Sequence, residues 1–162
     1  MDLFAELGFE GTTISAVERR VGLAAGTGSL HRHFSSKESL LRAAVEREVE
    51  RAIPAMRADR DALPADLDAV RDFEQCLHDI RRFDRLFRLL LAEGQRFPEV
   101  QDAVFGALQI ADKDANWGED PVLVVAVAAL GGYHLLGLLQ GRPFQGVPEA
   151  EFIDTLVRLT VS

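Results

Sequence analysis

A single cysteine among 162 residues, Cys76, leaves no partner for an internal disulfide and fits a reducing compartment. No basic segment followed by an apolar run opens the chain, so secretion is not expected and the cytoplasm is the expected location. Sustained alternation of apolar and polar residues, which a half-buried strand needs, is missing, as are internal repeats and low-complexity tracts. The expected fold is therefore all-α. Basic residues are scarce, 18 Lys and Arg against 26 Asp and Glu, for a net charge of −8. That balance opposes non-specific attachment to nucleic acid, which draws on phosphate neutralisation. The basic residues are not evenly spread, however. Between Gly11 and Arg47, Arg19, Arg20, Arg32, Lys37, Arg42 and Arg47 face only Glu18, Glu38 and Glu46. An acidic remainder would repel a duplex everywhere else and favour docking in one orientation.

Catalytic and metal signatures are also missing. No Ser, His and acid arrangement forms a local motif, and Cys76 has no activating neighbour. His31, His33, His78 and His134 show no metal-ligand spacing, and His31 and His33, two apart on a helix, diverge. Asp112, Asp114 and Asn116 take the first, third and fifth positions of a calcium loop, yet Trp117 replaces its glycine and Leu123 its bidentate glutamate. No enzyme, metal or cofactor is expected.

What the chain does hold is helical spacing. Thr12 or Thr13 can cap a short helix with Ile14, Val17 and Val21 on one face, stopped by Gly22. A second segment, from about Ala24 to Phe34, turns Leu30 and Phe34 inward. It leaves Ala25, Gly26, Thr27, Ser29, His31, Arg32 and His33 outward, a small and polar face suited to a groove. Ser35, with Glu38 three residues on, offers a capping box for the next helix, though Ser36 could cap instead, and Leu41, Val45, Val49 and Ile53 of that helix point inward. It should run to about Arg57, with Pro54 as kink or end.

Charges and Pro64 mark a linker over 59–65. One or two helices follow up to Gly94, with Val70, Phe73, Leu77, Ile80, Phe83, Phe87, Leu90 and Leu91 as apolar positions. Val100, Val104, Phe105, Leu108 and Ile110 suggest another helix, and 112–120 a polar loop containing Trp117. Residues 122–139 contain no Asp, Glu, Lys or Arg and reach the lower length for a membrane span. Glycines, Tyr133 and His134 dilute that run, and small residues at Ala126, Ala129, Gly132 and Gly137 permit close helix packing, so no membrane is expected. A further amphipathic helix over 148–161 carries Phe152, Leu156 and Leu159 on one face and Ile153 and Val157 on the next. Two adjacent apolar helices of this kind suit an oligomer interface.

The elements Gly8-Phe9, Thr12-Thr13-Ile14, Gly22-Leu23, Gly26-Thr27, Leu30 to Phe34, Ser36-Lys37-Glu38 and Leu40-Leu41 stand in one order. Together they resemble the DNA-binding domain of the TetR (tetracycline repressor) family of bacterial transcription regulators. The resemblance implies a helix-turn-helix, three-helix domain over 1–46 and a helical effector-binding and dimerisation domain over 47–162. It implies a repressor that binds palindromic operator DNA as a homodimer and is released by a small apolar or aromatic ligand, with coupling through the helix that joins the domains. Thr12, Thr13, His31, His33 and Lys37 would meet phosphates, and Thr27, Ser29 and Arg32 base edges, with Gly26 and Gly28 letting the backbone approach closely and Ala25 on the same DNA-facing side. Where His31 stands the family more often has tyrosine, so affinity should depend on pH.

Phe73, Phe83, Phe87, Phe105, Trp117, Tyr133 and His134 are the candidate effector-pocket residues. Val125, Ala129, Gly132, Leu136, Phe152, Leu156 and Leu159 are the candidate dimer interface. Two departures stand out. The stretch from Gly22 to Phe34 is two residues longer than the common form. Met1 also falls where the family is midway through its first helix, so N-terminal sequence is expected to be missing. A rival reading is a dimeric ligand-binding or protein-interaction module whose helix-turn-helix no longer binds DNA.

Overall fold

The structure, a computed structural model, describes residues 1–23, 30–64, 66, 68–115 and 120–160, and the side chains of all of these but 107–115. Regular structure among the described residues is helical throughout: α1 (Asp2–Gly11), α2 (Ile14–Arg20), α3 (Lys37–Asp61), α4 (Ala69–Arg81), α5 (Asp84–Glu93), α6 (Pro98–Ala115), α7 (Pro121–Gln140) and α8 (Glu149–Thr160). The chain divides into two compact units, Met1–Arg51 with Arg85–Ala107, and Ala52–Asp84 with Leu108–Ser162.

The first unit buries Phe4, Phe9, Leu41, Val45, Leu86, Leu89, Phe97, Val100 and Val104, each at most 6% exposed. Full burial of a side chain of this size contributes about 1.5–3 kcal/mol, so the later segment is as much part of this core as the N-terminal helices. Ion pairs tie the pieces together at the surface: Arg85 of α5 meets Asp2 of α1 at 2.6 Å and Glu48 of α3 at 2.9 Å. Such exposed pairs add little individually.

Several expectations shift in register. Val21 is 60% exposed rather than inward, because α2 ends at Arg20 and Val21 already belongs to the turn. In α5 the buried positions are Leu86 and Leu89, with Leu91 46% exposed. Leu89, Leu90 and Leu91 follow one another, so composition alone could not choose which faced the core. Pro54 neither ends nor visibly divides α3, which runs on to Asp61. The missing Pro54 N–H leaves the carbonyl of Glu50, an exposed residue, to water. The helix α6 reaches Ala115, so 112–115 is not loop.

In the second unit α4 packs on α7 and α8, and α7 on α8. Asp68 caps α4 by accepting from Arg71 N at 2.9 Å, and Phe73, Leu77 and Ile80 form its inward face. Asp79 is also buried, at 1% exposure. Arg60 and Gln75 donate to it at 3.3 and 3.1 Å, so its charge is compensated inside the unit. Burial pushes its carboxyl above the ordinary range, and the Arg60 hydrogen bond opposes that rise.

Asp120 caps α7 through Val122 N at 2.8 Å, and Gly141 ends it in the left-handed region at φ 65. One face of α7, Ala126, Leu130 and Tyr133, is buried. The stripe beside it, Val122, Val125, Leu136 and Leu139, is 39–66% exposed. By length and composition α7 is long and apolar enough to cross a membrane, although only 17% of its apolar window is buried.

Candidate nucleic-acid interface

The geometry of the first unit starts at a kink in α1. Gly8 has φ 69 and ψ −179, a conformation open to glycine, and it breaks the helical bonding just before Phe9. The freed Phe9 N–H donates to Glu93 Oε1 at 2.9 Å. Thr13 caps α2, its hydroxyl accepting from Ala16 N at 3.1 Å, and its side chain is exposed. Gly22, at φ 78, turns the chain after α2.

Residues 24–29 lie outside the described residues, and with them the expected groove residues Ala25, Gly26, Thr27 and Ser29. The chain resumes as a 3-10 turn over Leu30–Arg32, and Phe34 N closes back on Leu30 O at 2.8 Å. Leu30 and Phe34 are half-buried, whereas His31, Arg32 and His33 are all exposed. Three polar residues thus leave the turn on its outer side, as the spacing predicts. Ser36, not Ser35, caps α3: its hydroxyl accepts from Ser39 N at 3.1 Å, and Ser39 Oγ accepts from Ser36 N at the same distance. The Glu38 carboxyl sits below its ordinary range, held there first by its own backbone N–H and then by the Ser36 hydroxyl.

Thr12 stands differently from its expected role, and Lys37 is partly engaged within its own unit. Thr12 is wholly buried, and its hydroxyl donates between Gly8 O at 2.8 Å and Leu3 O at 3.0 Å. It therefore locks the end of α1 and is closed to a phosphate, since a covered hydroxyl with satisfied partners has nothing to offer a ligand. Lys37 is half-buried. Its ammonium donates to Phe9 O at 2.8 Å and lies 4.2 Å from the centre of the Phe9 ring.

Glu18, in α2, carries no motif signal and is 1% exposed, with a carboxylate oxygen 3.5 Å from Leu30 N. It ties the first helix of the motif to the resumed chain. Glu93, Arg96 and Phe97 are likewise invisible in the motif, yet all three touch Phe9. Only a fold can bring residues 84 positions apart to one backbone amide.

The candidate effector residues are dispersed. Phe73 and Phe83 are core, at 4% and 1% exposure. Phe87 and Phe105 belong to the first unit, where Phe105 is 57% exposed on α6. Trp117 lies outside the described residues. Tyr133 and His134 do come together at an open cavity of about 190 Å³ in the second unit, with Arg81, Gly137, Arg142 and Glu149. Tyr133 stacks on Phe152 at 4.2 Å and donates to Val147 O at 2.9 Å, while His134 Nε2 is 2.5 Å from Asp84 Oδ1.

Of the candidate interface residues, Val125 is 66%, Leu136 39% and Leu159 75% exposed. Ala129, Gly132 and Phe152 are half-buried. Leu156 is turned into its own unit at 7% exposure, beside Ile153 at 1%, because α8 must bury its Ile153–Leu156 edge where it packs on α4 and α7.

Residues 1–44 match the family of bacterial regulatory proteins described as the tetR family. Similar curated proteins are the HTH-type transcriptional regulator UidR of Escherichia coli (strain K12) and its namesake in Shigella flexneri. Each is 28% identical over 99 residues, an overlap covering 61% of this chain and 50% of the relative. The chain thus spans about half the length of the curated relatives it matches. No solved structure matches it significantly. The capped α2, the glycine turn and the Ser36-capped start of α3 all fall inside the N-terminal segment that is similar to the tetR family of bacterial regulatory proteins.

Proposed function

We propose that this chain is a tetR-like transcription regulator, a repressor that binds a palindromic operator as a homodimer and is released by a small ligand held in its second unit. The observation that carries the DNA reading is the exposed set His31, Arg32 and His33, presented within the matched residues on a turn fixed between two capped helices. Arg32 reaches base edges or phosphate, and His31, His33 and the Thr13 hydroxyl reach phosphate oxygens. Lys37 adds a phosphate contact with the donors that Phe9 O leaves over.

Pairing of two copies is supported by the stripe Val122, Val125, Leu136 and Leu139 on α7 with Leu159 on α8. The spacing of three and four residues along α7 makes one continuous apolar face, and small Ala129 and Gly132 lie between its ends. A Cβ built on Gly132 would meet nothing within 4 Å, so that face has room for a neighbour. Two such copies present their reading heads roughly 34–36 Å apart or a multiple of that, one duplex turn. A lipid surface would cover the same stripe, and the test separates the two.

The ligand reading rests on the cavity beside Tyr133 and His134. It assigns the chain no catalytic step, and it places the protein in the cytoplasm with its DNA.

The deciding experiment is a fluorescence titration against the DNA flanking the gene at two salt concentrations, paired with sedimentation of the protein and of Val125→Glu. Specific binding with a steep salt slope, a dimeric protein and a monomeric Val125→Glu are expected. Absence of any duplex binding refutes the repressor reading and favours a module whose helix-turn-helix no longer reads DNA. A solitary protomer that partitions onto lipid vesicles refutes the pairing.

A further inference from the structure

Both backbone polar groups of Phe9 are held by side chains from other elements. The N–H donates to Glu93 at the end of α5, and the C=O accepts from Lys37 at the start of α3. Two cations approach the ring, Lys37 Nζ at 4.2 Å and Arg96 Cζ at 4.9 Å from its centre, and the Phe97 ring lies 4.6 Å away. Arg96 is itself steadied by Glu10 at 2.5 Å. Because Gly8 breaks the helix just before it, Phe9 has no helical partner for its N–H, and the Glu93 carboxylate takes that role from 84 residues away.

We propose that the corner over 93–97 is a positioning element for DNA binding, with Glu93 as the residue that sets where the Lys37 ammonium stands. Glu93 fixes the Phe9 amide. Holding that N–H holds the Phe9 Cα, from which the carbonyl and the ring that meet Lys37 both extend; Thr12 N also donates to the carbonyl at 3.3 Å, and the ammonium, with one hydrogen bond to Phe9 O, keeps donors for a phosphate. An unheld lysine at the start of a helix would sample several rotamers, and binding would have to order it. The role rests on the DNA reading given above, in which Lys37 meets a phosphate.

The test uses the full chain with Glu93→Ala, Glu93→Gln, Lys37→Ala and the Glu93→Ala/Lys37→Ala double variant, titrated with operator DNA at several salt concentrations. Glu93→Ala should weaken binding on the order of tenfold, the scale of a lost charge-assisted hydrogen bond. It should also flatten the salt slope by about 0.9, the value of one phosphate contact. Glutamine keeps an amide oxygen for the Phe9 N–H and should restore both quantities. In the double variant, loss of Glu93 should add nothing to loss of Lys37. A merely structural defect would leave the slope unchanged and add to Lys37→Ala.

A second measurement needs neither DNA nor a variant. The Lys37 ε-methylene protons of the unaltered protein should be shifted upfield by the Phe9 ring, and unshifted resonances overturn the proposal even if Glu93→Ala fails to fold. If the unaltered protein binds no duplex, the DNA reading falls and this role with it. If it binds, and Glu93→Ala binds equally with the same slope, only the positioning claim falls.

Discussion

Replacing Gly8 by alanine tests the local geometry on which the motif's first helix ends. The native φ of 69 with ψ −179 lies in a region used almost only by glycine, where an L side chain costs about 1–3 kcal/mol. The new Cβ would also stand 3.0 Å from Glu93 Oε1, the oxygen that accepts the Phe9 N–H. Displacing that carboxylate weakens a charge-assisted bond by about 1 kcal/mol. The sum, about 2–4 kcal/mol, is a large part of the ~5–15 kcal/mol that holds a typical domain folded.

Because two units can unfold separately, the readout is native-state hydrogen exchange at Leu41 and Val45, buried in the same unit as Gly8. Their protection should fall about 30-fold or more. Gly131→Ala, read at Leu130 in its own unit, is the contrasting control, since a Cβ on Gly131 meets nothing within 4 Å inside α7 and alanine should gain up to about 1 kcal/mol of helix propensity. Unchanged protection in Gly8→Ala, or a gain like that expected of Gly131→Ala, would refute the left-handed kink and the Glu93 bond built upon it.

The Cys76 thiol, buried at 2% exposure and pushed up by that burial to about 12, should resist alkylation at pH 8 until the second unit opens. Since the unfolded thiol ionises near its ordinary value of 9.0 and the folded one near 12, the unfolded state binds fewer protons between them, and stability should fall as pH rises through that window. Rapid alkylation of the native protein at pH 8 would contradict this. Tyr133→Phe removes the hydroxyl that donates to Val147 O while keeping the stack on Phe152. It should cost about 1 kcal/mol and loosen the connection from α7 to α8, seen as faster exchange at Val147 and its neighbours; an unaltered exchange rate there would show the bond to be idle.

The helix-turn-helix was legible because its signals are local. A capping hydroxyl, a glycine that can take φ 78 and a serine pair that can close on itself act within four residues, and each occurs where the spacing predicts. Thr12 and Thr13 look alike in sequence, and only packing separates them: one hydroxyl is drawn under the end of α1 and the other caps α2 in the open. The capping-box spacing to Glu38 pointed to Ser35, and the reciprocal bond of Ser36 with Ser39 instead fixed the helix start at Lys37.

For the aromatic candidates, apolar spacing marks a face but not what lies opposite it. Phe73 and Phe83 were drawn into the core, Phe105 was left at the surface, and Tyr133 was brought to a cavity edge. The same holds for Leu156 and Leu159, three residues apart on α8 yet at 7% and 75% exposure, since one lies on the edge that meets its own unit and the other does not.

The sequence by itself therefore determined the helical class, the order of the reading motif and the apolar character of the last two long helices, because propensity, capping and periodicity are properties of neighbours in the chain. Tertiary structure alone decided that Glu93, Arg96 and Phe97 would grip Phe9, and that Glu18 would be buried beside Leu30. Those contacts join groups far apart in the chain, and the need to satisfy a freed amide or a buried carboxylate arises only once the helices have packed.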